Sequence, residues 1–259
     1  MNILISNDDG YGWTGLDTLV ETVAALSPEA NIVIAAPKQH QSGKSSAITV
    51  GVPITTRLLR DEPRLKAYAI DGTPVDCVKL ALSRLLPTRP TVVLTGINHG
   101  YNSGMNTIYS GTMGAAFEAV IHRVPAVAFS YGDYDPQCDM STCRPVIKHV
   151  LERVLPAIER GSYSPELCLN VNVPPAAAGE LHGIKVTKAD TGRWVHEFVE
   201  QTDPYGRTIY WTTGEYNVAD ATDIDTDSYW LGQGYATVVP CQVDQTATAA
   251  LGLVERMMD

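Results

Sequence analysis

Through the first half of the chain, short apolar runs alternate with segments whose apolar residues recur every three to four positions. The runs at 2–6, 31–36, 91–95 and 126–130 read as buried strands, and the segments 15–26, 74–85 and 111–120 read as amphipathic helices. Strands that alternate with helices require crossover connections, so the pattern predicts an α/β fold with a doubly wound, mostly parallel sheet. After about residue 180 the pattern changes. Strand-like pieces at 185–188, 207–213 and 236–240 stand between polar turns, and a closing helix is expected from about 246. The chain therefore divides into a core of about 1–180 and an extension of about 181–259, within one domain.

In a parallel α/β sheet, ligands collect outside the carboxyl ends of the strands, so polar residues that directly follow strands should share one rim. Four such places stand out. Asn7-Asp8-Asp9-Gly10 follows the first run and puts two adjacent carboxylates in a tight turn. Adjacent carboxylates repel unless a cation sits between them, and a hard ion such as Mg²⁺ or Mn²⁺ takes carboxylate, amide and hydroxyl oxygens. The plainer reading is a helix cap beside a solvated aspartate.

The loop after the second strand, residues 37–46, carries Ser42 together with Lys44, Ser45 and Ser46. It contains Gly43-Lys44-Ser45, but a phosphate-cradling P-loop needs a glycine five places earlier, where Lys38 stands. The third place, 95–104, is dense in glycine and asparagine, including Asn98 and Asn102, which offer close backbone approach and neutral oxygens. In the fourth, Ser110-Gly111-Thr112 opens a helix, where free N–H groups and the positive helix end can face a phosphate. A serine cap on a closely packed helix explains the same residues.

A competing motif is Gly10-x-Gly12-x-x-Gly15, which matches the dinucleotide fingerprint between a strand and a helix. Against it, Asp8 and Asp9 would stand beside the pyrophosphate. The second strand also ends Ala36-Pro37-Lys38, with no acid for a ribose hydroxyl. An NADP-dependent oxidoreductase and a non-catalytic nucleotide sensor remain the two alternative classes.

Composition narrows the partners. The 259 residues carry a net charge of -10 without acidic runs or basic clusters, so a nucleic-acid duplex or an anionic membrane is repelled on average. A small anionic substrate then needs local positive charge, which a metal ion supplies. The start Met1-Asn-Ile-Leu-Ile-Ser has no basic leader, and no apolar stretch approaches ~20 residues. Five cysteines without a CxxC pair suit a reducing compartment, so a cytoplasmic location is expected. The aromatic residues of the extension, among them Trp194, Tyr210, Trp211 and Trp230, pack either on a second subunit or on the chain's own core.

Taken in order, Asn7-Asp8-Asp9-Gly10, Ser42, Gly96-Ile-Asn98-x-Gly-x-Asn102 and Ser110-Gly-Thr112-x-Gly-Ala-Ala give a pattern that resembles the SurE family of nucleotidases. The resemblance continues through Asp71-Gly-Thr-Pro-Val-Asp76-Cys-Val-Lys79 and Asn170-Val-Asn-Val-Pro174, and spans essentially the whole chain. It implies a Rossmann-like three-layer core with a C-terminal hairpin and helix extension. It further implies hydrolysis of nucleoside 5′- and 3′-monophosphates, and one divalent ion, Mg²⁺ or Mn²⁺, held by Asp8, Asp9, Ser42 and Asn98. Exchanged C-terminal arms would build a homodimer or homotetramer. The loop 44–49 departs from the family's commoner ending, which leaves Ser45 or Ser46 as alternatives to Ser42.

On this reading Asp8 and Asp9 are the catalytic carboxylates, while Asn102, Ser110, Gly111 and Thr112 hold the substrate phosphate. Attack is expected from water, with an aspartyl-phosphate intermediate as the rival chemistry. His99 either protonates the leaving oxygen or makes a structural hydrogen bond. The other histidines, His40 among them, show no ligand-like spacing.

Overall fold

The first strand, β1 (Asn2–Ser6), is buried on both faces and lies at the centre of the molecule, as its unbroken apolar run requires. The computed structural model describes residues 1–176 and 179–259. From β1 the chain runs through α1 (Thr14–Leu26), β2 (Asn31–Pro37), β3 (Thr56–Glu62), β4 (Leu65–Ile70) and α2 (Pro74–Leu80). It continues through β5 (Val92–His99), the short α3 (Asn106–Tyr109), α4 (Gly111–Ile121), β6 (Ala126–Tyr131), α5 (Cys143–Glu159) and β7 (Cys168–Val173). The rest comprises β8 (Ile184–Val186), β9 (Arg193–Val195), β10 (Phe198–Thr202), β11 (Thr208–Thr212), β12 (Glu215–Asn217), α6 (Asp227–Gly232), β13 (Ala236–Cys241) and α7 (Leu251–Met258).

The main sheet has the order β3-β4-β2-β1-β5-β6-β7-β13-β8, and its central pairs from β4 to β7 are parallel. The doubly wound α/β sheet expected from the alternation is therefore present. Its antiparallel members lie away from the centre, β3 against β4 and β13 against β7. Ile3 and Ile5 point into one layer with residues of α1 and α5, whereas Leu4 points into the other with Cys77, Val78 and Met113 of α2 and α4. Side chains alternate along a strand, so a strand covered on both faces must be apolar at every position.

Three differences from the sequence reading have physical causes. The predicted helix 74–85 ends at Leu80, and a wide π-helical turn, Ala81–Leu85, follows before Pro87. The strand expected at 91–95 runs on to His99, with its pairing to β6 shifted between Thr95 and Asn98. Such an irregularity re-aims the side chains that follow it. Helix α5 and the edge pair β3–β4 were not among the expected elements; α5 does carry an apolar stripe, Val146, Ile147, Val150, Leu151 and Val154.

Beyond residue 180, β8 and β13 complete the main sheet, whereas β9–β12 and β10–β11 form two small antiparallel pairs. The β10–β11 hairpin presents Phe198, Tyr210 and Trp211 to solvent, and α7 buries none of its residues. Among the described residues, no helix is long and apolar enough to cross a membrane.

Candidate active site

Two buried carboxylates, Asp8 and Asp9, stand where β1 ends. Asn7 closes their turn by donating its amide to Gly10 O at 2.9 Å and accepting from Gly10 N–H at 3.3 Å. Gly10 adopts a φ of 111°, a region that favours glycine. The fingerprint glycines thus have local duties. Gly10 shapes the turn, and a Cβ at Gly15 would stand 2.1 Å from Ile97 O, so glycine lets α1 approach the end of β5.

Each carboxylate is held from a different element. The Thr112 hydroxyl, in the first turn of α4, donates to Asp8 Oδ1 at 2.6 Å. His99 meets Asp9 Oδ2 twice, through its backbone N–H at 3.3 Å and its Nδ1 at 2.9 Å. From the loop after β2, His40 Nε2 lies 3.3 Å from Asp9 Oδ1 and 2.9 Å from the Ser42 hydroxyl. The Trp13 ring stands between the two imidazoles, stacked on His40 and edge-on to His99, with centroids 5.4 and 5.3 Å away. His99 Nε2 is buried and has no partner.

The irregularity in β5 brings Asn98 to the same place. Its Nδ2 donates back to His99 O and Gly100 O, which leaves Oδ1 free for a ligand. Asn102 is fixed by a buried amide network: its N–H donates to Asn172 Oδ1, its side chain to Ser130 Oγ, and its carbonyl accepts from Asn170. That network accounts for the polar Asn170-Val-Asn-Val stretch in an otherwise apolar strand.

Asp8, Ser42, Asn98, His99, Asn102 and Ser110 share the wall of one cavity of about 750 Å³. Burial, and then the neighbouring Asp9 charge, push the Asp8 carboxyl up to about 6, against the pull of the Thr112 hydrogen bonds. The described residues contain no cluster of three His, Cys, Asp or Glu side chains arranged for a metal. The donor set here is instead two carboxylates with a neutral amide and a hydroxyl oxygen. That chemistry fits a hard divalent cation, and a cation there would offset the repulsion that raises Asp8.

The sequence-predicted residues do not all face the cavity in the same manner. Ser110 caps α4 by accepting from Met113 N–H at 3.1 Å, and its own hydroxyl proton remains available. The Thr112 hydroxyl is engaged with Asp8, and Gly111 packs where a Cβ would come 2.9 Å from Asp8 Cβ. Of the alternative serines, Ser45 donates to Ile108 O at 2.6 Å and anchors its loop there.

The sequence reading assigned His40 nothing, although it bridges Asp9 and Ser42. It read Trp194 only as one of the packing aromatics of the extension and did not single out Tyr134; the two line the cavity from the extension and from the segment after β6.

The chain as a whole resembles known proteins. The family model described as "Survival protein SurE" matches residues 3–196. The chain belongs to the SurE family. Among similar proteins is a 5′-nucleotidase SurE of Cytophaga hutchinsonii, 41% identical over 256 residues that cover 98% of this chain and 95% of the relative. Another, from Christiangramia forsetii, is 40% identical over 95% of this chain and 92% of the relative. The crystal structure of the SurE protein from Aquifex aeolicus superposes with a TM-score of 0.82 at 30% identity and covers both chains completely. The SurE resemblance read from the motifs and the doubly wound architecture are both borne out, and none of these relatives favours the dinucleotide alternative.

Proposed function

We infer that this SurE chain is a divalent-metal-dependent phosphomonoesterase that hydrolyses nucleoside 5′-monophosphates, and 3′-monophosphates, to nucleoside and phosphate. The observation that carries the reading is the meeting of Asp8, Ser42 and the free Asn98 Oδ1 in the wall of one cavity, with His40 linking Ser42 to the neighbouring carboxylate of Asp9. The names of the relatives support the same reaction class.

Asp8, Asp9, Ser42 and Asn98 would hold one Mg²⁺ or Mn²⁺ ion. When bound, such an ion supplies positive charge that offsets phosphate charge and eases deprotonation of an attacking water. Thr112 orients Asp8 and opposes the rise that burial causes there, and His99 orients Asp9. The Ser110 hydroxyl and the loop of Asn102 contribute donors to the phosphate oxygens, with the positive end of α4 behind them. Gly111 acts by its small size and Thr112 through Asp8. Water attacks phosphorus in line; a phosphorylated Asp8 trapped during turnover would replace water with the carboxylate as nucleophile.

The apolar surface of α7 and of the β10–β11 hairpin supports a homodimer or homotetramer built through the extension. The free cysteines support a reducing, cytoplasmic location. The deciding experiment strips the purified protein with EDTA and measures phosphate release from a panel of nucleoside monophosphates after resupply of Mn²⁺, Mg²⁺ or Zn²⁺. Metal-restored release is expected. No release with any metal would return the choice to nucleotide sensing or dinucleotide binding, separated by AMP and NADPH binding.

A further inference from the structure

The cavity is larger than a phosphate requires: about 750 Å³ lies within the range of sites that enclose a whole small ligand. Its carboxylate end comes from the core, but Trp194, Glu197, Thr212, Thr213 and Gly214 line it from the extension. Of these, Trp194 is held most firmly. Its indole N–H donates to Asn106 Oδ1 at 2.6 Å, which ties β9 to α3, the helix that follows the Asn102 loop. Tyr216, its register partner on β12, meets the ring edge-on with centroids 6.1 Å apart, and the Tyr216 hydroxyl accepts from Met105 N–H at 3.3 Å. Gly214 has a φ of 123°, and a Cβ there would come 2.8 Å from Val195 O and 3.4 Å from the Trp194 ring, so the turn closes directly onto the indole.

An aromatic ring fixed in orientation on a ligand cavity loses little freedom when a flat ligand stacks on it. A base stacks on such a face whatever its hydrogen-bonding edge. We propose that Trp194 is the nucleobase platform of this site: the residue of the extension that touches the base and makes a nucleoside monophosphate a better substrate than a bare sugar phosphate. The proposal rests on the phosphomonoesterase reading for its kinetics and not for its binding.

The test compares kcat/KM for AMP and for ribose 5-phosphate, which has the sugar and phosphate without the base, in wild type, Trp194→Ala and Trp194→Phe. Calorimetry with adenosine measures base binding without turnover. Wild type should favour AMP, and Trp194→Ala should lower the AMP to ribose 5-phosphate ratio about tenfold and weaken adenosine binding by a similar factor, the size expected for lost stacking. Trp194→Phe, which keeps a ring but not the indole N–H, should retain most of both. Equal losses on the two substrates, or adenosine binding unchanged in Trp194→Ala, would overturn the platform. A wild-type chain that binds adenosine through Trp194 yet releases phosphate from neither compound would overturn the hydrolytic reading alone.

Discussion

The Thr112 hydroxyl donates to Asp8 Oδ1 across 2.6 Å, tying the first turn of α4 to the carboxylate at the end of β1. A hydrogen bond to a buried charged group is among the stronger kinds, worth about 1.5–3 kcal/mol. Thr112→Val, which keeps the shape and removes the donor, should lower unfolding stability by that amount. It should also raise the metal concentration needed for half-maximal phosphate release. An unchanged metal titration would separate Thr112 from the working of Asp8.

Asp8→Asn should lower turnover by about 10²-fold or more at saturating metal, because a neutral amide is a weaker ligand for a hard cation and leaves the site one charge short. Circular dichroism should show the fold retained, since the amide fits the same space. Wild-type-like turnover would remove Asp8 from the site.

The same substitution tests a pH effect in EDTA-treated protein. Asp8 titrates near 6 in the folded chain, against an ordinary value of 3.8. Between those values the folded chain holds the additional proton. The contribution to stability is therefore full below about pH 4 and is lost as pH rises through about 6, by an amount on the order of 3 kcal/mol. Urea unfolding of wild type should weaken across that window more than unfolding of Asp8→Asn. Parallel pH profiles for the two proteins would refute it.

Ser42 and Ser45 should separate by function. Ser42→Ala removes the hydroxyl beside His40 and should raise the metal requirement about tenfold, the lower end of what ligand-shell changes cause. Ser45→Ala removes the bond to Ile108 O and should cost about 1 kcal/mol of stability while leaving the metal titration alone. The reverse pattern would make Ser45 the loop's ligand.

The exposed apolar face of α7, with Leu251, Leu253, Val254 and Met257, should be covered by another copy of the chain. Leu253→Asp combined with Met257→Asp should shift the mass seen by light scattering toward the monomer. An unchanged mass would place the contact elsewhere.

The turn from Asn7 to Gly10 was legible in the sequence because its chemistry is local: two carboxylates and two turn formers directly after an apolar run. The same holds for Asn98 and Asn102, which follow the apolar run of β5, and for Ser110 ahead of α4. The partners of these groups were not legible. His40 reaches Asp9 from the loop after β2, and Thr112 meets Asp8 from 104 positions away in the chain. No spacing rule relates such positions, because each is delivered by the packing of a separate element. Trp194 was visible only as one of many aromatic residues whose packing partner the sequence left open.

What the sequence by itself determined was the alternation of buried strands and amphipathic helices, and with it the rim at which the polar turns gather. Periodicity and turn chemistry act within a few residues of one another and need nothing else. Only the tertiary structure decided that β5 shifts register before Asn98, that Thr112 serves Asp8, and that β9 closes the cavity with Trp194. Each of those depends on contacts between segments distant in the chain, which form when the layers pack.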